Sequence, residues 1–351
     1  MNRFDDRLEK IVLSSLPLLS QIDSLNGQWV GGASLNSQVL GRLKRSVLVT
    51  SAGSSTRIEG SKLSDEEVEK LMRGLSTQKM ADRDAQEVRG YYELLQTVFD
   101  SYDAIKFSEN IIKQLHAELL KYTDKDTRHR GEYKKLDNHV EMKDVSGKVL
   151  SVLFETTPPY LTAKEMSELI NWTMDEVAKK RYHPLLIISN FVVEFLRIHP
   201  FLDGNGRLSR VLTSLLMLKA GYQYTPYVSH EKLIEDNKTD YYIALRQSQI
   251  TFRTTDETIE PWTGFFLHIL LLQAQQAIKL LSSENIESLL SPNQLLVWKY
   301  IQTTNVEVNI KDITGATSVA RPTVRQVIER LLKLKKIERI GLGRTTRYRK
   351  I

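Results

Sequence analysis

Between His199 and Arg210 the chain reads His-Pro-Phe-Leu-Asp-Gly-Asn-Gly-Arg-Leu-Ser-Arg. A histidine, a carboxylate, two glycines and two arginines in one short stretch suit the chemistry of a phosphate ester. His199 is the titratable side chain there with an ordinary pKa near neutrality, which fits a general base. Asp203 offers the hard oxygen that a phosphate-bound Mg²⁺ prefers. Gly204 and Gly206 let the backbone come close to a ligand. If a helix begins at that point, its first N–H groups face an anion along the favourable end of the dipole. Arg207 and Arg210, three apart, are then expected on one face, clamping phosphate oxygens together. Singly, each feature has a plainer explanation: a helix-capping histidine, a Gly-Asn-Gly turn, solvated arginines. Their convergence points to nucleotide-phosphate chemistry.

Such residues need a rigid frame. Residues 185–198, LLIISNFVVEFLRI, are apolar nearly all round, the mark of a centrally buried helix. Pro184 suits its first turn and Pro200 stops it. A second apolar helix is expected from the glycines to about residue 220. Upstream, Ser64 before Asp65, Glu66 and Glu67 predicts a capped helix over 64–73. Two more are expected over 84–99 and 109–121. Residues Asn138–Met142 and Val149–Phe154, joined by a turn with Asp144, Ser146 and Gly147, predict a β-hairpin. After Pro158 and Pro159, Thr162 is expected to cap a helix through residue 178, and residues 262–290 make a long helical region.

A chain of 351 residues with 41% hydrophobic content is large enough for two or three domains. It has no cysteine, which removes disulfides and thiolate chemistry and points to a reducing, cytoplasmic setting. The N-terminus carries Asp5, Asp6 and Glu9 before a stretch broken by Pro17, a poor secretory signal. The longest apolar run, Phe265–Leu272, is interrupted by His268 and short for a bilayer, so no membrane partner is expected. The net charge of +6 is uneven: residues 321–351 hold 11 Lys and Arg against Glu329 and Glu338. That end also has its own pattern. Helices are expected over 292–302, 310–316 and 321–335, then two short strands, Ile337–Ile340 and Thr345–Ile351, about Gly341 and Gly343. Three helices and a basic two-stranded wing look like a winged helix-turn-helix domain. Arg321 and Arg325 would open its last helix, with Arg344, Arg347 and Arg349 in the wing. DNA is one partner for such a surface; protein binding or homodimerisation is the other.

Residues 199–210 match in full the Fic family signature, His-Pro-Phe-x-Asp-Gly-Asn-Gly-Arg-x-x-Arg, and the chain resembles that family over roughly residues 55–250. The resemblance implies a mainly α fold: a helical bundle with a small β-hairpin flap. It implies transfer of AMP from ATP, with Mg²⁺, to a Tyr, Thr or Ser hydroxyl of a protein target or of the chain itself. Carried over by position, His199 deprotonates the hydroxyl and Asp203 holds Mg²⁺. Gly204, Asn205, Gly206 and the neighbouring N–H groups bind phosphate, Arg207 takes the β-phosphate region, and Arg210 fixes the γ-phosphate. The hairpin resembles the flap whose edge pairs with the target's backbone. Asn237, Tyr241 and Tyr242 resemble the adenosine pocket, although tyrosines at that spacing also suit a core. Ser55-Thr56-Arg57-Ile58-Glu59-Gly60 resembles the family's inhibitory motif. Glu59 paired with Arg210 would occupy the guanidinium meant for the γ-phosphate; the plainer reading is a solvated glutamate at a helix end.

The expected organisation is an N-terminal helical region over 1–100, a catalytic core over 101–260, a helical connector over 261–290 and the C-terminal domain over 291–351. Two other functions fit the same residues: a DNA-binding regulator with a vestigial Fic core, and a Fic transferase with another donor, since relatives are known to transfer phosphate, phosphocholine or UMP.

Overall fold

The computed structural model describes residues 2–32, 37–74, 82–123, 127–143, 149–282, 292–304, 306–333, 336–341 and 346–350. The chain divides into two compact units, Met1–Leu281 and Ser282–Ile351. In the first, the helices are α1 (Arg3–Gly32), α2 (Ser37–Ile58), α3 (Asp65–Met72), α4 (Arg83–Ser101), α5 (Glu109–Leu119), α6 (Pro159–Lys179), α7 (Pro184–Ile198), α8 (Asn205–Lys219), α9 (His230–Asp236), α10 (Lys238–Gln249) and α11 (Glu260–Ser282). Between α5 and α6, strands β1 (His139–Lys143) and β2 (Val149–Glu155) form an antiparallel hairpin. The expected turn, 144–148, lies outside the described residues.

Helix α7 is the axis. Every residue from Leu185 to Ile198 is buried, and α1, α6, α8 and α10 pack on it. One hydrophobic core runs from Phe4 to Ala277. The divisions expected at residues 100 and 260 therefore do not separate cores: α1–α4 and α11 share the interior of α7 and α8. Helix α11 also corrects the membrane argument, because Glu260–Leu281 is long and apolar enough to cross a bilayer. Its Trp262, Leu267, Leu270 and Ala274 are buried in the common core, and Trp262 Nε1 donates to Ser189 O of α7 at 2.9 Å. Helix α3 starts as expected, with a reciprocal capping box between Ser64 and Glu67. Thr162 does not cap α6, which begins at Pro159; its hydroxyl bonds back to Pro158 O at 3.1 Å.

A wholly buried carboxylate fixes α1 to α7. Glu194 pairs with Arg7 at 2.7 Å, Arg3 at 2.9 Å and Arg197 at 2.8 Å. Burial alone would raise its pKa, but these arginines hold it down to about 2.

The second unit has its own core of Val297, Trp298, Ile313, Val324, Val327, Ile328, Leu331 and Tyr348. Its helices are α12 (Pro292–Thr303), α13 (Ile310–Thr317) and α14 (Arg321–Lys333), followed by the antiparallel strands β3 (Ile337–Ile340) and β4 (Arg347–Lys350). Val308 and Tyr348 exchange backbone bonds of 3.0 and 2.8 Å, which adds a rung beside β4. Ser318, at φ 55, ends α13 three residues before α14 begins. Gly343 and Arg344, expected in the hairpin, lie outside the described residues.

Removing Glu194 leaves buried guanidinium groups without their carboxylate. Glu194→Ala should cost ~3–5 kcal/mol, read from denaturant unfolding of the parent and the variant. The folded pKa lies below the ordinary 4.5, so the contribution is full above that value and fades as pH falls towards about 2. An unchanged midpoint at pH 7 would show that the pairing is not what holds α1.

Candidate active site

The buried helix α7 delivers His199 at its end. Pro200 disfavours another helical residue, and His199 takes a left-handed conformation, φ 51, with its N–H on Phe195 O at 2.9 Å. Its Nδ1 is 3.2 Å from Leu196 O. A carbonyl only accepts, so Nδ1 carries the proton and Nε2 keeps its lone pair. Burial lowers the imidazole pKa to about 4, which leaves the ring neutral at physiological pH and able to accept a proton.

The loop after His199 is tied to the base of the hairpin. Lys134 donates from its backbone to Pro200 O at 2.8 Å, and its Nζ reaches Ile198 O at 3.1 Å and Thr156 Oγ1 at 2.8 Å. Asn138 Nδ2 donates to Phe201 O at 2.8 Å. Burial pulls the Lys134 ammonium down to about 8. Lys134 and Thr156 did not stand out in the sequence, and Asn138 was expected only as the first residue of the hairpin.

Within the loop, Asn205 closes on Phe201 twice, its Oδ1 accepting the Phe201 N–H at 2.9 Å and its Nδ2 donating to Phe201 O at 2.7 Å. Both ends of the Asn205 amide are thus engaged in shaping the loop. Phe201 stacks on His116 of α5, ring centroids 3.8 Å apart. His116 Nδ1 accepts the Gly131 N–H at 2.9 Å, so Nε2 is its donor, on Asp203 O at 2.9 Å. Burial lowers this ring to about 4 as well. The turn passes through Gly204 at φ 79, a conformation costly for any residue with a Cβ, and α8 begins next.

The two arginines of the motif do not clamp together. Arg207, 2% exposed, places Nη2 3.1 Å from Asp203 Oδ1 and Nη1 3.0 Å from Glu87 on α4. Arg210, equally buried, turns to α2, with Nε on Ser55 Oγ at 2.8 Å and Nη2 on Ser55 O at 2.8 Å and Glu59 Oε1 at 2.7 Å. Burial works against the Arg210 charge, and Glu59 more than offsets it. Gly206 makes room for this pairing, because a Cβ there would meet Glu59 Oε1 at 2.2 Å. Asp203 is held below its ordinary range; burial opposes this, but Arg207, the Gly204 N–H and Arg83 outweigh it.

Glu59 follows the last turn of α2, and that turn is firmly set. Arg57 bridges to Glu235 of α9 at 2.6 Å and to Asp65 of α3 at 2.9 Å. Deeper, the buried Glu231 of α9 accepts from Ser51 at 2.7 Å and from Tyr91 of α4 at 2.8 Å. Of the residues expected around adenosine, Tyr241 is buried edge-on to Trp262 and Tyr242, and lines a small cavity of ≈ 20 Å³ with Arg210 and His230. Asn237 ends α9, its Nδ2 on Leu233 O at 2.8 Å. Tyr242 is partly buried beside it.

Among the described residues no group of three His, Cys, Asp or Glu side chains could hold a metal ion. Asp203, 35% exposed, is a lone carboxylate at the mouth of the site. Such a donor fits a Mg²⁺ that arrives on nucleotide phosphates, since this ion commonly keeps its waters and takes one or two carboxylates plus phosphate oxygens.

Residues 106–217 match the model of the Fic/DOC family. Protein adenylyltransferase fic-1 of Caenorhabditis briggsae is 25% identical over 97 residues, 28% of this chain and 18% of that protein. Protein adenylyltransferase Fic of Drosophila willistoni is 37% identical over 57 residues, 16% of this chain and 11% of that one. The matched stretches thus span less than a fifth of these relatives. A crystal structure of a Fic family protein from Desulfovibrio desulfuricans superposes with a TM-score of 0.64 at 23% identity, covering 96% of this chain and 95% of that one, which establishes the shared fold.

The hydrogen bonds assign opposite tautomers to two rings that both titrate near 4. In ¹⁵N NMR, His199 should show a protonated Nδ1 and His116 a protonated Nε2, with both neutral down to about pH 5. Since these folded pKa values lie below the ordinary 6.5, the two rings lose stability for the fold as pH drops from there towards 4. A normal titration of either ring near 6.5 would contradict the burial argument.

Proposed function

From a chain whose residues 106–217 are a Fic/DOC domain, we propose a protein adenylyltransferase that moves AMP from Mg·ATP to a Tyr, Thr or Ser hydroxyl of a protein, its own chain included, and that Glu59 restrains. The observation carrying this reading is the placement of a neutral His199, with Nε2 unprotonated, on the same loop and helix start as Asp203, Arg207 and Arg210. The target hydroxyl attacks the α-phosphorus while its proton passes to His199 Nε2. The bond from that phosphorus to the bridging oxygen breaks, and pyrophosphate leaves. The protein's part is positioning and charge stabilisation. Mg²⁺, arriving with the nucleotide, would be held by Asp203 and neutralise phosphate charge. The N–H groups opening α8 face the phosphates, and Arg210 suits the γ-phosphate once Glu59 leaves it. Tyr241, Tyr242 and Asn237 would meet the face and edge of the adenine.

The restraint follows from the 2.7 Å pairing of Glu59 with Arg210. While the carboxylate holds the guanidinium, the γ-phosphate lacks its anchor and the α-phosphorus is misplaced. A shift of about 1 Å can cost on the order of a hundredfold in rate.

A second activity, binding duplex DNA, is supported for residues 282–351 by the short turn from α13 into α14. The buried side of α14 is Val324, Val327, Ile328 and Leu331, which leaves Arg321, Arg325 and Gln326 exposed at its start. Arg347 and Arg349 stand exposed on β4. A basic helix start beside a basic hairpin is the footprint of a major-groove reader.

With labelled ATP, Glu59→Gly should raise the initial rate of AMP incorporation by up to ~100-fold, whereas adding the change to Arg210→Ala should give no further gain. The two residues share one interaction and so are non-additive. Labelled UTP, GTP and CDP-choline beside ATP identify the donor. A parental rate in Glu59→Gly at parental melting temperature would sink the restraint, and no labelling from any donor would sink the transferase.

For DNA, retention of the intact chain on duplex DNA should fall steeply with salt, and the Arg321→Ala, Arg325→Ala double variant should reduce the slope of log affinity against log salt by roughly 2. Absence of retention at low salt would assign α14 to protein contacts instead.

A further inference from the structure

Glu231, in the first turn of α9, is a wholly buried carboxylate outside both the motif and the matched domain. It accepts from the hydroxyls of Ser51 at 2.7 Å, Ser229 at 3.0 Å and Tyr91 at 2.8 Å, and His230 Nδ1 stands 3.5 Å away. Burial opposes the charge on Glu231, but its neighbours outweigh burial and hold the carboxyl below its ordinary range. Burial lowers the His230 imidazole, which is therefore neutral at physiological pH.

A carboxylate so deep in the fold calls for a cation, and its hydrogen bonds lead to one. Tyr91 gives its own proton to Glu231 Oε1 and takes one from Ser55. The Ser55 oxygen in turn accepts Arg210 Nε at 2.8 Å. Residues of α2, α4, α8 and α9 thus form one buried chain, with a guanidinium at one end and a carboxylate at the other. A hydroxyl has a single proton, and here each is donated towards Glu231, so the oxygen of each dipole faces the arginine. Bonds ordered in this way polarise one another in a low-dielectric interior.

Arg210 therefore answers to two carboxylates of different kinds. Glu59 touches it directly, at 2.7 Å, and is 35% exposed. Glu231 acts through two hydroxyls and is shut away from water. When the Glu59 side chain withdraws or is removed, the buried guanidinium still has the chain on Nε and Ser55 O on Nη2 at 2.8 Å, with Tyr241 of α10 beside it.

We propose that Glu231 is a positioning residue for Arg210: through Tyr91 and Ser55 it holds the guanidinium in place for the γ-phosphate once Glu59 has left it. The inference rests on the AMP-transfer reading and deepens it. Ser51 and Ser229 bond the same carboxylate without lying on the chain, which provides an internal control.

The test is calorimetric titration with Mg·ATP and Mg·ADP of the full-length Glu59→Gly protein and of Tyr91→Phe, Glu231→Gln and Ser51→Ala made in that background. Arg210 is assigned to the γ-phosphate, which ATP carries and ADP lacks. Tyr91→Phe keeps the ring and cuts the chain, so it should weaken Mg·ATP by about 10-fold, the scale of a lost bond to a charged group, and leave Mg·ADP within about twofold. Glu231→Gln should show the same selectivity. Ser51→Ala should leave both affinities within about twofold of the background. Once Arg210→Ala is added, Tyr91→Phe should make no further difference to Mg·ATP, because the two groups share one interaction. All three changes lower the melting temperature, since each takes a partner from a buried polar group, so the discriminating readout is the preference for ATP over ADP. Unchanged Mg·ATP affinity in Tyr91→Phe, an equal loss for Mg·ADP, or the same loss in Ser51→Ala overturns the proposal. If Glu59→Gly itself binds Mg·ADP as tightly as Mg·ATP, the assignment of the γ-phosphate to Arg210 fails, and the role of Glu231 fails with it.

Discussion

A guanidinium taken out of water must keep a carboxylate beside it, and the layout of this site follows from that constraint at Arg207 and Arg210. Both are nearly wholly buried at the start of α8. One turns to Asp203 and Glu87, the other to Glu59 and to the oxygens of Ser55. Each partner sits on a different element, so the ion pairs pull α4 and the end of α2 onto the mouth of α8. Such pairs contribute little net stability once desolvation is counted, and losing one partner is costly. Their consequence is that α2 and α4 meet the start of α8 where each buried guanidinium has a carboxylate.

The loop from His199 to α8 is held instead by bonds to its backbone. Asn205 locks it from within, His116 supports it from α5, and Lys134 with Asn138 ties it to the base of the hairpin. Each of these bonds fixes a backbone carbonyl or N–H of the loop. A loop shaped this way needs no ligand to define it. That matters for phosphoryl chemistry, where positioning is most of what a protein can supply. It also couples the hairpin stem to the loop after His199 through Asn138 and Lys134.

Much of this could be read from the amino-acid order, and the limits have physical causes. The all-apolar run of α7, the prolines at 184 and 200 and the glycines at 204 and 206 specify a buried helix, a stop and a turn, because periodicity and backbone restriction are local properties. Ser64 with Glu67 declared its own cap for the same reason. Arg83, Glu87, Lys134 and His116 were silent, since their partners lie 120, 120, 64 and 87 residues away in the chain and nothing local marks a long-range ion pair or carbonyl contact. The polar side chain of Asn205 suits either phosphate or its own loop, and its closure on Phe201 could not be read from the amino-acid order. The unity of the core from Phe4 to Ala277 was hidden as well: α1 and α11 look like separate helical regions until the buried Glu194 and Trp262 show what they pack against.

Gly206 ties these threads together. Its missing side chain is what lets Glu59 approach, since a Cβ there would stand 2.2 Å from the carboxylate oxygen. The same opening, at the first turn of a helix whose N–H groups point outwards, is where a phosphate would need to come. A carboxylate and a phosphate are similar demands on that space: both are anions, both favour the positive end of the helix dipole, and both pair with Arg210. The glycine cannot admit one and refuse the other by shape. What would distinguish them is the tether, because Glu59 is delivered by α2 at high effective concentration, whereas a nucleotide would compete from solution. On the proposed restraint, the balance between the two anions would be set by how firmly α2 is held, through Arg57 on Glu235 and Ser51 on Glu231. Ser55 of the same helix bonds Arg210 directly, so loosening α2 would move the guanidinium together with the carboxylate it holds.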